Sequence, residues 1–199
     1  MLGCEFMPSQ TFLNLKEEKK KKLMNAALKE FSSATLEKAS INKIVAEAQI
    51  PRGSFYMYFD DKYDLFDYII LRYQDRLLHI IKKALIEKNG NIRETFIDLY
   101  DELANKMKQV DLKIFLKNVY SYVCQKNIFL EDPGRCIFHE VESLIQKEGI
   151  ITTDLEFIFG VFMHNLISSC LDGVRKQGEK GREIYLKKLD LICYGIYQK

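Results

Sequence analysis

Pro51 is the residue that most narrows what this chain can fold into, because it stands between two short stretches that each carry helical spacing. Upstream of it, Ile41, Ile44, Val45 and Ala48 fall at i, i+3, i+4 and i+7, an apolar face of about two turns that Ser40 is placed to cap. Proline lacks the amide donor and its ring strikes the preceding turn, so it cannot lie inside a helix, but it fits the start of the next one. The spacing therefore predicts a turn at Gln49, Ile50 and Pro51 and a second short helix over 52–58. Two longer segments flank the pair. One covers 16–32, where Leu23, Ala27 and Phe31 recur at four-residue steps beside Met24 and Leu28. The other opens at Asp60 or Asp61, carries Leu65, Phe66, Ile69, Ile70, Tyr73, Leu77 and Ile81, and stops at Asn89 and Gly90. Short helices joined by a tight turn and braced on both sides make a helix-turn-helix unit.

Helical periodicity continues beyond residue 90, in segments near 92–108, 111–126, 133–148, 153–177 and 181–197. Asp132-Pro133 and Thr152 or Thr153 suit helix starts, and Gly149 and Gly178 suit helix ends. With ten glycines and three prolines in 199 residues, the chain has few places to turn and reads as all-α, with about nine helices. The expected organisation is an amino-terminal arm over 1–15, a helix-turn-helix domain over 16–66 and a second helical domain over 67–199. Met7-Pro8-Ser9-Gln10 reads as a more natural start than Met1, so residues 1–6 are expected to be upstream or non-native sequence.

Several classes of function are set aside by what the chain lacks. Cys4, Cys124, Cys136, Cys170 and Cys193 are odd in number and scattered, so they read as reduced thiols in a cytoplasm and not as a disulfide framework. No apolar run approaches the roughly 18 residues of a membrane span, and the first residues do not resemble a leader. Cys136, His139 and Glu140 share a helical turn, but no further ligands stand at recognisable spacing, so neither a metal nor a cofactor is expected. Glycine-rich phosphate loops, nucleophile elbows and His-Glu-x-x-His are likewise missing, which argues against an enzyme. A net charge of +2 is too small to announce a nucleic-acid partner by itself. Local placement is more informative: residues 16–62 hold ten basic side chains against seven acidic ones, including the run Lys19 to Lys22.

From Leu23 to Phe66, and most closely from Ser40 to Leu65, the sequence resembles the TetR family of bacterial transcriptional regulators. Gly53-Ser54-Phe55-Tyr56-Met57-Tyr58-Phe59 followed by Lys62 is similar to the family pattern of Gly-Ser/Thr-aromatic-Tyr-x-Tyr-Phe and a lysine. The resemblance implies double-stranded operator DNA as the partner. The second short helix would enter a major groove roughly 12 Å wide, which needs one apolar face and one face of donors. Phe55 and Phe59 can anchor it, leaving Arg52, Ser54, Met57 and Tyr58 toward the duplex. Arg52 is the leading base reader, since its planar fork can bond guanine O6 and N7 together, with a phosphate contact as the alternative; Ser54 and Met57 can touch base edges or a thymine methyl, or else form a solvated face. Gly53 would let the backbone approach DNA closely. Tyr56, Tyr58 and Lys62 resemble phosphate clamps, and Asn42 and Lys43 would meet the DNA backbone at a helix start. Two residues depart from the family, which usually has glycine at the positions of Thr35 and Gln49; both sites often take a left-handed backbone, which costs other residues about 1–2 kcal/mol.

The carboxyl-terminal helices carry the remaining expectations. Segment 153–177 is apolar around nearly its whole circumference, from Leu155 to Val174, and so is not a surface helix of a monomer. Tyr185, Leu189, Ile192 and Ile196 form a stripe on the last segment, and the two segments together are expected to build a four-helix seam with a second copy. Family likeness implies the same homodimer, a palindromic operator near the chain's own gene, and a small, mostly apolar effector that releases a repressor. Tyr100, Met107, Tyr122, Phe138, Phe162, His164 and Asn165 are the candidate effector contacts. Two other readings remain open: a DNA-binding regulator without an effector, and a small-molecule-binding helical protein with vestigial DNA-binding heads.

Overall fold

The computed structural model describes residues 8–108, 110–126, 155–173 and 179–197. Among them are nine helices and no strand: α1 Gln10–Leu13, α2 Glu17–Ser33, α3 Ile41–Ala48, α4 Arg52–Tyr56, α5 Lys62–Glu87, α6 Ile92–Lys106, α7 Val110–Lys126, α8 Leu155–Gly173 and α9 Glu179–Tyr197. Residues 1–6, the expected helix over 133–148 and the start and stop signals at Asp132, Pro133, Gly149, Thr152, Thr153 and Gly178 lie outside the described residues. The chain divides into two compact units, Met1–Gln74 with Val110–Val119, and Asp75–Gln109 with Tyr120–Lys199.

The core of the first unit follows from the apolar stripes. Helix α2 buries Leu23, Ala26, Ala27 and Phe31, α3 buries Ile44, Val45 and Ala48, and α4 buries Phe55. Leu65, Phe66 and Ile69 of α5 are fully buried, and the Phe66 ring meets Phe31 at 4.9 Å and Phe115 of α7 at 6.0 Å. Each such side chain contributes roughly 1.5–3 kcal/mol by leaving water. Asp61 settles the start of α5, its Oδ1 accepting the amides of Tyr63 at 2.7 Å and Asp64 at 2.9 Å. The stop of α5 is the expected one: Asn89 and Gly90 both have positive φ, 53° and 90°, and the Gly90 amide reaches back to the Leu85 carbonyl at 2.8 Å.

The two non-glycine turns resolve differently. Gln49 adopts the left-handed conformation, φ 57° and ψ 43°, and its amide bonds the Ala46 carbonyl while that of Ile50 bonds Val45. Thr35 avoids it. Helix α2 ends instead on Ala34 in extended backbone, and the work a left-handed glycine would do falls to Asn118 of α7. The Asn118 Nδ2 donates to the carbonyls of Phe31 and Ala34, both at 2.8 Å, and its Oδ1 accepts the Leu36 amide at 3.3 Å. A helix end exposes carbonyls without partners, and here one buried side chain from a distant helix supplies them.

In the second unit, Asn91 caps α6 through its side chain, and Phe96, Leu99 and Tyr100 form the buried face. Phe96 meets Phe162 of α8 at 4.8 Å, while Tyr100 stacks on Tyr185 of α9 at 4.1 Å and 11°. The Tyr185 hydroxyl donates to the Phe96 carbonyl at 2.7 Å. This corrects the expected seam: Tyr185 and Leu189 are fully buried within their own unit, because their stripe is the one that packs on α6 and α8. Ile192 is half-buried, and the large apolar α9 side chains left exposed are others, Leu191 and Tyr194, at 75% and 60%. The side chain of Ile196 lies outside the described residues.

Candidate nucleic-acid interface

Helices α3 and α4 meet through Gln49, Ile50 and Pro51, and the geometry of that turn decides which residues face outward. Pro51, with φ −61°, ends the turn and its carbonyl accepts the Ser54 amide at 2.9 Å. Phe55 and Phe59 then point inward, at 0% and 2% exposure, with rings 6.1 Å apart. Arg52, Gly53, Tyr56 and Met57 are exposed as a result, and Ser54 and Tyr58 half-buried.

Arg52 does not hang free on that surface. Its Nη1 donates to Asn42 Oδ1 at 2.7 Å and its Nη2 to the Tyr56 hydroxyl at 3.1 Å, with the guanidinium carbon 5.8 Å from the Tyr56 ring centre. Three of the expected DNA-facing residues, from both helices of the motif, are thus one hydrogen-bonded cluster. Holding a long side chain in one geometry beforehand reduces the entropy lost when it binds.

Lysines on this face are differently committed. Lys43 lies 3.7 Å from Glu30, a buried carboxylate that also accepts the Ser40 amide at 2.9 Å. Ser40 occupies the expected cap position of α3, yet its hydroxyl makes no capping bond; Glu30 serves the adjoining amide from α2. Lys62 donates to the carbonyls of Glu37 and Ala39, so it braces the turn before α3 and keeps one further N–H to offer. In the basic run, Lys20 pairs with Glu17 at 2.8 Å and Lys22 with Glu18 at 3.2 Å. Gly53 has no internal reason to be glycine. Its φ is not positive, and no atom of the described residues lies within 4 Å of where a Cβ would stand.

One contributor gave no signal in the sequence. Ahead of α2, α1 buries Phe12 completely, its ring 4.8 Å from Phe59, 5.3 Å from Tyr68 and 6.0 Å from Tyr58. Four residues are too few for periodicity to reveal a helix; only the cap at Ser9, whose side chain accepts the Phe12 amide, was available as a cue.

The candidate effector contacts are placed in the second unit. Tyr100, Met107, Tyr122, Phe162 and Asn165 are buried there, and Phe138 lies outside the described residues. His164 is exposed, its Nε2 3.3 Å from the Tyr120 hydroxyl. Tyr100 and Phe162 meet Tyr185 and Phe96, which fill the same core. Asn165 differs from them: its Oδ1 accepts the Ser169 hydroxyl at 3.2 Å, and its Nδ2 is buried without a partner among the described residues. Burial pushes the Cys170 thiol up to about 12 and the Cys193 thiol up to about 11, so both stay protonated near neutral pH. No three His, Cys, Asp or Glu side chains come together as a metal site among the described residues; Cys136, His139 and Glu140 are outside them. No helix among the described residues is long and apolar enough to cross a membrane.

Residues 23–69 match the family model of bacterial regulatory proteins, tetR family. The chain is 22% identical over 188 residues to an uncharacterized HTH-type transcriptional regulator, YdgC, of Bacillus subtilis (strain 168), covering 92% of this chain and 94% of that protein. Two crystal structures are similar: a TetR family transcriptional regulator from Chloroflexus aurantiacus J-10-FL, with 22% identity, 97% of this chain and 100% of that one covered, and a TM-score of 0.43; and a TetR-like transcriptional regulator from Rhodococcus sp. RHA1, with 18% identity, 94% and 100% covered, and a TM-score of 0.44.

Proposed function

We propose that this chain, whose residues 23–69 match the family model of bacterial regulatory proteins, tetR family, is a dimeric repressor released from a palindromic operator by a small, mostly apolar effector. The observation that carries the DNA-reading part is the outward face of α4. A guanidinium fork is held ready by Asn42 and Tyr56 beside a glycine that nothing inside the chain requires. Arg52, Ser54 and Met57 read bases, and Asn42, Lys43, Tyr56, Tyr58 and Lys62 hold the duplex backbone. Leu191 and Tyr194, exposed on α9, support a copy docking along α8 and α9. Two copies then present their α4 helices to half-sites about 34–36 Å apart. The free thiols of Cys124, Cys170 and Cys193 agree with action in the cytoplasm.

Selection of duplexes from a random pool, followed by fluorescence anisotropy at two salt concentrations, tests the reading. The selected duplex should bind at least about a thousandfold tighter than a scrambled one. Gly53→Ala sharpens the test. Alanine favours helix by up to about 1 kcal/mol, so the variant should melt no lower than wild type. Its methyl group stands where the duplex backbone must approach, and affinity should fall by about tenfold or more, or at least 1.4 kcal/mol. Undiminished binding by this variant would remove Gly53 from the interface.

Asn165 supports the effector. A buried donor left unpaired costs about 1–3 kcal/mol, which an acceptor on a bound molecule would recover. Asn165→Leu removes the unpaired donor together with the acceptor of the Ser169 hydroxyl, and should abolish the stabilisation that carbonyl- or carboxylate-bearing apolar compounds give the wild type. If the variant keeps that stabilisation, Asn165 is not the recognising group.

A further inference from the structure

Helix α4 has five residues, far too few to be stable alone, and the carbonyls just past its end have no partners within the helix. Two of these, on Met57 and Tyr58, are taken by a single residue of the arm. The Ser9 hydroxyl donates to the Met57 carbonyl at 2.5 Å, and the Ser9 amide donates to the Tyr58 carbonyl at 3.1 Å. The same hydroxyl oxygen accepts the Phe12 amide at 3.2 Å, which opens α1 and sets the buried Phe12 ring against Tyr58 and Phe59.

We infer that Ser9 and Phe12 are positioning residues for DNA reading, clamping the backbone at Met57 and Tyr58 so that these two side chains meet the duplex in one register. The reading head thereby extends forward of residue 23, where the family match begins. The inference rests on the DNA-reading role proposed for α4. Met57 is 58% exposed, so the backbone that carries it does most to fix where it points. Phe55 and Phe59 hold that backbone from within the core; Ser9 holds it from outside, at the end Arg52 does not reach.

The test is selection from a random duplex pool with wild type, Ser9→Ala, Ser9→Thr and Phe12→Leu, each checked for an unchanged helical spectrum. Ser9→Ala is expected to bind the wild-type selected duplex about tenfold more weakly, the scale of one lost hydrogen bond, while binding to scrambled DNA, where only the Tyr58 backbone contact is loosened, falls much less and its salt dependence stays as it was. Its selected sequences should lose preference at the bases nearest Met57 and keep it at those nearest Arg52. Ser9→Thr, which retains the hydroxyl, should restore both, and Phe12→Leu should loosen the same positions. A merely structural role would lower the active fraction and weaken both duplexes equally, with the selected sequence unchanged; that result overturns the inference. If wild type selects no sequence at all, the DNA-reading role fails first and takes the inference with it.

Discussion

Replacing Asn118 with alanine is expected to lower the stability of the first unit by about 2–4 kcal/mol, the largest loss foreseen for any exchange of one polar side chain here. Its amide makes three hydrogen bonds, to Phe31, Ala34 and Leu36, and the asparagine is itself buried. Alanine leaves two carbonyls and an amide to be hydrated at the end of α2. Asn118→Asp should fare no better, because a carboxylate cannot donate to the two carbonyls. The cause can be isolated with Thr35→Gly. In the Asn118→Ala background glycine opens a left-handed end for α2 that Thr35 denies it, so it should recover part of the loss. In the wild type, where Asn118 already serves those carbonyls, it should recover nothing. Urea melts of the four proteins would show this coupling, and equal effects of Thr35→Gly in both backgrounds would refute it.

Arg52→Ala is expected to weaken binding to the selected duplex by about 1–3 kcal/mol, or roughly 5- to 150-fold, and to flatten preference at one base pair. Affinity for scrambled DNA should change much less. Lys62→Ala should act otherwise. A lost phosphate contact weakens all duplexes about equally and reduces the salt slope by about 1. Because Lys62 also bonds the carbonyls of Glu37 and Ala39, this variant should melt at a lower temperature, whereas Arg52→Ala should melt near wild type. Anisotropy across selected and scrambled duplexes, with melts alongside, separates the two; an identical pattern of loss would defeat the division between base reader and backbone clamp.

Where the causes are local, the sequence was a good guide. Pro51, the apolar spacing of Ile44, Val45 and Ala48, and the glycine after Asn89 set helix ends within a residue or two, since each acts through its own turn. Long-range causes left no local trace. Nothing near Thr35 says how α2 can end without glycine, because the answer is a side chain 82 residues beyond Leu36. Periodicity likewise tells which residues of α9 share a face and is silent on what that face meets: the stripe of Tyr185 and Leu189 suits a second copy as well as it suits the core of its own unit, which it fills. At the interface, residue types and spacing suggested which side chains face outward. That Arg52 is held by Asn42 and Tyr56 depends on the crossing of two helices, which spacing within each does not specify.

The bonds from Asn118 also set an order of events in synthesis. Leu36 leaves the ribosome 82 residues ahead of the side chain that completes its turn. At roughly 5–20 residues per second, about 4–16 s separate the two. A nascent chain therefore has its motif helices translated but the end of α2 unfinished, and it acquires a finished reading head only after α7 has been translated.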